Sequence, residues 1–372
     1  MIDGRQFAEL LFVDPQITIV SMEWGTRAKR SAARSGSLDV QWCTPRPLRF
    51  MDPITVLFIA DPSASYVRML DRLPQPVELL VGETPEFLSS AAPIADVILN
   101  AFHDGKKIQS LLPLARRLRW VHALSAGVDR VLTPELIESP VPLTNGRAVF
   151  GPALAEFTIA AILFFAKDLR RLVRNQEAGR WDQFDNALVR GQALGVVGYG
   201  GIGREAGRLA RALGMQVMAT RRRQQLYDGD STVDRTFAPD QLHEMLALSD
   251  YVLVATPLTP ETRGMIGEAE LGAMKSSAVI INVGRGPLIV EPALIQALSE
   301  KRIRGAALDV FDIEPLPEGH AFYGMENVLL SPHSADHVHG WLESAFERFI
   351  ELFTRFQDGQ PLDYVVDKRA GY

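Results

Sequence analysis

The stretch Ala193–Gly203, ALGVVGYGGIG, constrains this chain more than any other. An apolar run of strand character passes straight into Gly198-x-Gly200-x-x-Gly203 and then into Arg204–Leu213, whose pattern is helical. In such a unit the first glycine lets the strand turn tightly and the second removes a side chain where pyrophosphate approaches backbone. The third lets helix pack close to strand. Unpaired N–H groups of the helix's first turn then point at phosphate. The plainer reading is a tight turn with no ligand, because a bare GxGxxG arises easily in a chain with 29 glycines. The strand before and the helix after favour a dinucleotide turn made by Gly198, Tyr199, Gly200, Gly201, Ile202 and Gly203.

A chain of 372 residues is too long for one ordinary core and suggests two domains. A net charge of −6 argues against a general nucleic-acid or anionic-membrane binder. The single cysteine, Cys43, excludes an intramolecular disulfide framework and any CxxC metal cluster, and fits a reducing compartment. The longest apolar run, Phe157–Ala166, is too short to span a bilayer, and no signal-peptide pattern is visible, so a cytoplasmic location is expected. Residues 1–52 read as a poorly ordered extension: Gly25–Ser37 is basic and small, and Pro45–Arg49 adds two prolines. A targeting or nucleic-acid tail is the alternative for that basic stretch, which lacks aromatics and sustained charge.

From Pro53 the chain alternates apolar strands (Ile54–Ile59, Val77–Val81, Ala95–Leu99, Trp120–Ala123, Val141–Thr144) with helix-compatible intervals. Connections too long for hairpins imply a parallel sheet over residues 53–150. Ala153–Arg174 reads as one long helix, apolar nearly all round at its start, and so buried either within its own chain or, the favoured reading, in a homodimer interface. Residues 151–333 then supply six strands, counting Ala193–Gly198, for a dinucleotide-binding domain. A last helix, Asp336–Phe356, within residues 334–366, is expected to return to the first domain. The expected fold class is α/β, with two Rossmann-like domains built on doubly wound parallel sheets and a catalytic domain discontinuous in sequence.

The strand GMQVMA ends in Thr220-Arg221-Arg222-Arg223, where an NAD site usually places a carboxylate about 20 residues beyond the glycines. Hydroxyl and guanidinium groups there suit a ribose 2′-phosphate, so NADP(H) is preferred and NAD(H) still admitted. A solvated basic strand end is the alternative.

Six segments in order, LSAGVD (Leu124–Asp129), GYGGIG (Gly198–Gly203), TPLTPETRGMIG (Thr256–Gly267), INVGRG (Ile281–Gly286), ALDVFDIEPLP (Ala307–Pro317) and SPHSA (Ser331–Ala335), are similar to the D-isomer-specific 2-hydroxyacid dehydrogenases. Within that family the chain most resembles the NADPH-favouring glyoxylate/hydroxypyruvate or 2-ketoacid reductases. The resemblance runs from Pro53 to Val366 and implies reduction of a small 2-keto acid to a 2-hydroxy acid. It implies that Arg285 holds the substrate carboxylate, Glu314 pairs with the catalytic histidine, and His333 gives and takes the proton. It also implies cofactor contacts at Thr256, Pro257, Thr262, Val283, Gly284, Asp309 and His333. Departures are Arg221 where many relatives carry Asp, the first fifty residues, and Asp336–Gly340 in place of a small apolar run.

The chemistry of the residues agrees. A 2-keto acid needs its carboxylate fixed, its carbonyl polarised and a proton delivered as alkoxide forms. Arg285 can clamp a carboxylate bidentately, and Ser125, Ala126, Gly127 and Val128 can offer backbone N–H groups from the opposite side. Glu314 beside His333 would fix its tautomer and favour the protonated form. His122, His103, His337 and His339 have weaker claims; HExxH is absent, so no metal is expected. An S-adenosylmethionine methyltransferase and a non-catalytic dinucleotide-sensing interaction protein on the same fold are the readings from other classes.

Overall fold

The computed structural model describes residues 52–101, 105–221 and 230–372. Arg222, His103 and everything expected of residues 1–51 lie outside the described residues.

The first sheet is wholly parallel: β1 (Ile54–Ile59), β2 (Val77–Gly82), β3 (Val97–Asn100), β4 (Trp120–Ala123) and β5 (Leu143–Asn145), in the order β2-β1-β3-β4-β5. Strands β1, β3, β4 and β5 are buried at every position, which is why β1, β3 and β4 read as largely apolar runs and not as alternating patterns, whereas β5 buries two polar residues, Thr144 and Asn145. Between them run α1 (Pro85–Ala91), α2 (Gly105–Leu111) and α3 (Pro134–Glu138). Thr84 and Thr133 cap α1 and α3 by accepting the Phe87 and Leu136 N–H groups, each followed by a proline at the first helical position.

The single helix expected over Ala153–Arg174 is two. Helix α4 (Gly151–Ala166) and α5 (Leu169–Glu177) are separated at Asp168, whose φ of 46° is left-handed. The Ala187 N–H donates to the Ala166 carbonyl and Lys167 Nζ to that of Ala187, so a later segment occupies the end of α4 that a continuous helix would need.

The second sheet has seven parallel strands among the described residues: β6 (Ala193–Val197), β7 (Gln216–Thr220), β8 (Arg235–Phe237), β9 (Tyr251–Val254), β10 (Val279–Asn282), β11 (Gly305–Leu308) and β12 (Val328–Leu330). Their order is β12-β11-β10-β9-β6-β7-β8. Strand β8 was not expected. It is a three-residue edge strand of which only Phe237 is buried, too short to carry a pattern. Helices α6 (Gly201–Ala212), α7 (Leu242–Leu248), α8 (Glu268–Ala273), α9 (Glu291–Ser299) and α10 (Ala321–Gly324) complete this half. The chain leaves β6 toward β7 and returns on the other side at β9, so a crevice opens at their carboxyl ends.

The final helix, α11, spans Trp341–Gln357 and not Asp336–Phe356. Residues Ser334–Val338 form turns instead, and Gly340, with φ of 81°, stands before the first helical residue. Helix α11 lies against the first sheet: Phe346 meets Phe58 edge-on with ring centroids 5.8 Å apart, and Phe349 stacks on Trp120 at 5.3 Å. His122 is fully buried there with Nδ1 2.7 Å from Thr144 Oγ1. Burial, reinforced by Arg348, drives its imidazole down to about 3, so it is a neutral core residue.

Candidate active site

The carboxyl ends of both sheets bring the chemistry-bearing residues together. β6 ends in the glycine turn, where Gly198 has φ of 92° and a Cβ there would lie 2.7 Å from the backbone of Thr256. A Cβ on Gly203 would lie 2.7 Å from the Gly198 carbonyl oxygen, so this glycine sets how closely α6 meets β6. At Gly200 and Gly201 a Cβ would meet nothing within 4 Å. The turn is therefore tight beneath and open above, with the first turn of α6 facing the opening, and these residues fit a dinucleotide pyrophosphate.

At the far end of β7, Thr220 and Arg221 are buried, Arg221 being only 7% exposed. Its guanidinium lies 4.6 Å above the Tyr199 ring, more enclosed than the solvated strand end that was the alternative reading of the sequence. The sequence shows no acid near this position, but the fold supplies one. Asp230 Oδ2 accepts from the Tyr199 hydroxyl at 3.3 Å and lies 3.3 Å from Arg204 Nε, while Oδ1 accepts the Thr232 N–H. Tyr199 is pushed up to about 12, first by burial and then by Asp230.

The Thr256–Gly267 segment braces itself. Thr262 Oγ1 donates to the Pro257 carbonyl at 2.7 Å and accepts the Thr259 N–H at 2.8 Å. After β10, buried Asn282 donates to the Arg285 carbonyl at 2.9 Å and accepts the Gly284 N–H at 3.1 Å, which fixes the turn that presents Arg285. Val283 is buried and its N–H donates to Val254.

Arg285 reaches across to the first sheet. Its Nε donates to Asp129 Oδ1 at 2.9 Å and its Nη1 to the Gly284 carbonyl at 2.8 Å. Its Nη2 lies over Gly127, where a Cβ would sit 1.6 Å away. The loop beneath is held by the Ser125 hydroxyl donating to the Gly127 carbonyl at 2.8 Å and by Asn145 Nδ2 donating to that of Ala126. The Val128 side chain is buried in the apolar core of this half.

His333 follows β12 with φ of 51°, a left-handed conformation that costs a non-glycine residue of order 1–2 kcal/mol. Its N–H donates to the Asp309 carbonyl at 2.8 Å. Asp309, 1% exposed, accepts on Oδ1 from the Ser331 hydroxyl at 2.6 Å and the Ser334 and Ala335 N–H groups at 3.0 Å. This buried carboxylate thus shapes the strained turn. His333 Nδ1–H donates to Glu314 Oε2 at 2.9 Å, and Glu314 Oε1 accepts the Phe311 N–H at 3.1 Å. Burial pushes the Glu314 carboxyl up, but the bonds from His333 and Phe311 outweigh it and hold it below the usual carboxylate range. Next along, Asp336 carries its carboxyl above that range, chiefly through burial.

Sequence reasoning missed Asp129, Arg130, Asn145 and Asn282. Asp129 and Arg130 lie in or beside LSAGVD, but their partners are 156 and 184 residues away, beyond any local signal. Among the described residues no group of three or more His, Cys, Asp or Glu is placed to hold a metal, and no helix is long and apolar enough to cross a membrane.

Comparison with known proteins agrees with this geometry. Residues 159–335 match the profile of the D-isomer specific 2-hydroxyacid dehydrogenase, NAD binding domain. A glyoxylate reductase of Thermococcus gammatolerans is 33% identical over 265 residues, covering 69% of this chain and 78% of that protein. The chain belongs to the D-isomer specific 2-hydroxyacid dehydrogenase family. As a member it is an NAD(P)-dependent oxidoreductase acting on CH–OH donors. A D-3-phosphoglycerate dehydrogenase of Methanocaldococcus jannaschii is 30% identical over 74% of this chain, which spans 52% of that longer protein. The solved structure of an NADPH-dependent glyoxylate/hydroxypyruvate reductase from Sinorhizobium meliloti, in complex with NADP and sulfate, superposes with a TM-score of 0.75. It is 27% identical and covers 87% of this chain and 100% of its own. The dehydrogenase fold of two parallel-sheet α/β halves is shared with it.

Proposed function

We propose that this dehydrogenase reduces a small 2-keto acid of the glyoxylate or hydroxypyruvate type to the D-2-hydroxy acid, with NADP(H) preferred over NAD(H). The observation that carries the reading is the His333–Glu314 pair at 2.9 Å, reached from the same loop that holds Arg285. Arg285 pairs with the substrate carboxylate through the N–H groups that Asp129 and Gly284 do not take, and backbone N–H groups of Ser125–Val128 meet it from the other side. Glu314 takes Nδ1, so Nε2 is the ring nitrogen that gives the proton to the carbonyl oxygen and recovers it in the reverse direction. The nicotinamide cofactor, when bound, supplies the hydride for the carbonyl carbon. Ionised Glu314 favours the imidazolium that this step needs.

Support for NADP(H) comes from Thr220 and Arg221 at the end of β7, from Arg204 in the first turn of α6, and from the NADP complex of the Sinorhizobium meliloti relative. The Asp230 carboxylate is engaged by Tyr199, Arg204 and Thr232, which limits its use as a ribose acceptor. We also propose a cytoplasmic homodimer. Phe157, Ile159, Leu163 and Phe164 of α4 stay only half-buried within the chain, and Leu172, Val173, Trp181 and Leu188 nearby are exposed. The test of the reaction is a panel of 2-keto acids with NADPH and NADH, followed by nicotinamide absorbance. Turnover of glyoxylate or hydroxypyruvate is expected. Dinucleotide binding without turnover of any small 2-keto acid would instead indicate a sensor.

A further inference from the structure

One arginine in the cleft has no part in the reaction as proposed. Arg130 follows Asp129 in the loop after β4, and its Nη2 donates to Glu314 Oε2 at 3.4 Å. That is the oxygen which accepts His333 Nδ1–H at 2.9 Å, while Glu314 Oε1 is occupied by the Phe311 N–H. One carboxylate oxygen is therefore shared between a histidine and an arginine that come from opposite sheets. The neighbouring Asp129 holds Arg285 Nε, so one dipeptide touches two of the three charged groups assigned to the chemistry, Arg285 and Glu314.

We propose that Arg130 is a positioning residue that sets how readily His333 releases its proton, by sharing the carboxylate oxygen on which the imidazolium depends. The inference rests on the roles given above to His333 and Glu314. A guanidinium stays charged throughout the working pH range, so it keeps Glu314 ionised. Drawing on the same oxygen, it also weakens the hold of Glu314 on the imidazolium and repels that charge directly. His333 is then a better acid than it would be with Glu314 alone, and proton delivery in the reductive direction benefits.

The other charged groups around His333 do not duplicate this effect. Asp309, at the end of β11, is bound by Ser331 and by the Ser334 and Ala335 N–H groups. Asp336 lies on the same turn as His333, with His337 Nε2 3.8 Å from its Oδ1. Arg285, after β10, is engaged by Asp129. Arg130 alone among these bonds the oxygen that His333 uses. Its side chain is 61% exposed, so its influence is open to screening by salt, whereas the His333–Glu314 bond is more enclosed. The contact also joins loops of the two sheets, so it exists only while those loops meet.

The experiment is an NMR titration of the full-length protein labelled at histidine Cε1, with the His333 resonance assigned by its loss in His333→Asn. In Arg130→Met and Arg130→Gln the His333 midpoint should rise by about half a pH unit, the effect of one charge roughly 6 Å away through water. Arg130→Lys should stay near the parent, and the difference between Met variant and parent should shrink at high salt. A midpoint unchanged in both neutral variants, or a rise of equal size in Arg130→Lys, would overturn the proposal. The readout needs no turnover, so a protein inactive on all 2-keto acids would count against the proposed reaction and leave this result standing. Where turnover is present, the alkaline limb of reduction should move upward with the resonance.

Discussion

Gly127→Ala tests the carboxylate clamp through sterics alone. A Cβ at this position would sit 1.6 Å from Arg285 Nη2 and 2.6 Å from Cζ, so the guanidinium must leave its place. The side chain is long, and Gly127 is not among the residues with positive φ, so the fold absorbs the change cheaply. What is lost is orientation of the guanidinium toward the substrate. A charge-assisted hydrogen bond is worth about 1.5–3 kcal/mol, which predicts a fall in kcat/KM for glyoxylate of roughly tenfold to a hundredfold or somewhat more. NADPH affinity and Tm should stay near the parent. The second half of a double-mutant cycle sharpens the test: in an Arg285→Ala background the obstructing side chain is gone, so adding Gly127→Ala should cost almost nothing further. Parental kcat/KM in Gly127→Ala, or full additivity with Arg285→Ala, would refute the steric argument.

Arg221→Asp should weaken use of NADPH selectively, by about tenfold to a hundredfold in kcat/KM; equal or better efficiency with NADH in the parent protein would end the NADPH preference. Light scattering at micromolar protein should give a dimer, and a stable monomer would return the half-buried face of α4 to an ordinary surface. Asp336 carries a carboxyl raised by burial, so the fold penalises its ionised form; that penalty is absent at acid pH and grows as pH rises through the raised value. Asp336→Asn should accordingly raise Tm at neutral pH and leave it unchanged in acid, and a Tm gain of equal size at both would contradict this.

The order of strands and helices was legible because parallel strands buried on both faces are predominantly apolar runs, as β1, β4 and β10 are. The glycine turn was legible because its first and last glycines, Gly198 and Gly203, answer local steric demands, while Gly200 leaves the space above the turn open. Strand β8 was not, since two of its three residues are exposed. The break at Asp168 escaped notice because it is imposed by the Ala187 segment, which no local pattern of α4 reports. Likewise Asp336–Gly340 reads as helix but turns, because Asp309 claims the backbone N–H groups of Ser334 and Ala335 just before it. His333, Glu314 and Arg285 were visible as chemistry-bearing residues in motifs, and the bond joining the first two is a fact of the fold. Asp129, Arg130 and Asp230 act through partners distant in sequence, and only the folded chain reveals them.

The measurement that bears most directly on the central claim is single-turnover reduction of glyoxylate by NADPH across pH, for the parent and His333→Asn. Asparagine keeps a polar group near Glu314 and cannot deliver a proton. The rate should fall by roughly 10²–10⁴, the usual worth of a positioned general acid, while NADPH binding stays within about twofold. The parent's loss of rate at alkaline pH, where the imidazolium is gone, should disappear from the variant. A parental rate and an unaltered pH profile in His333→Asn would contradict the account and remove His333 from the chemistry.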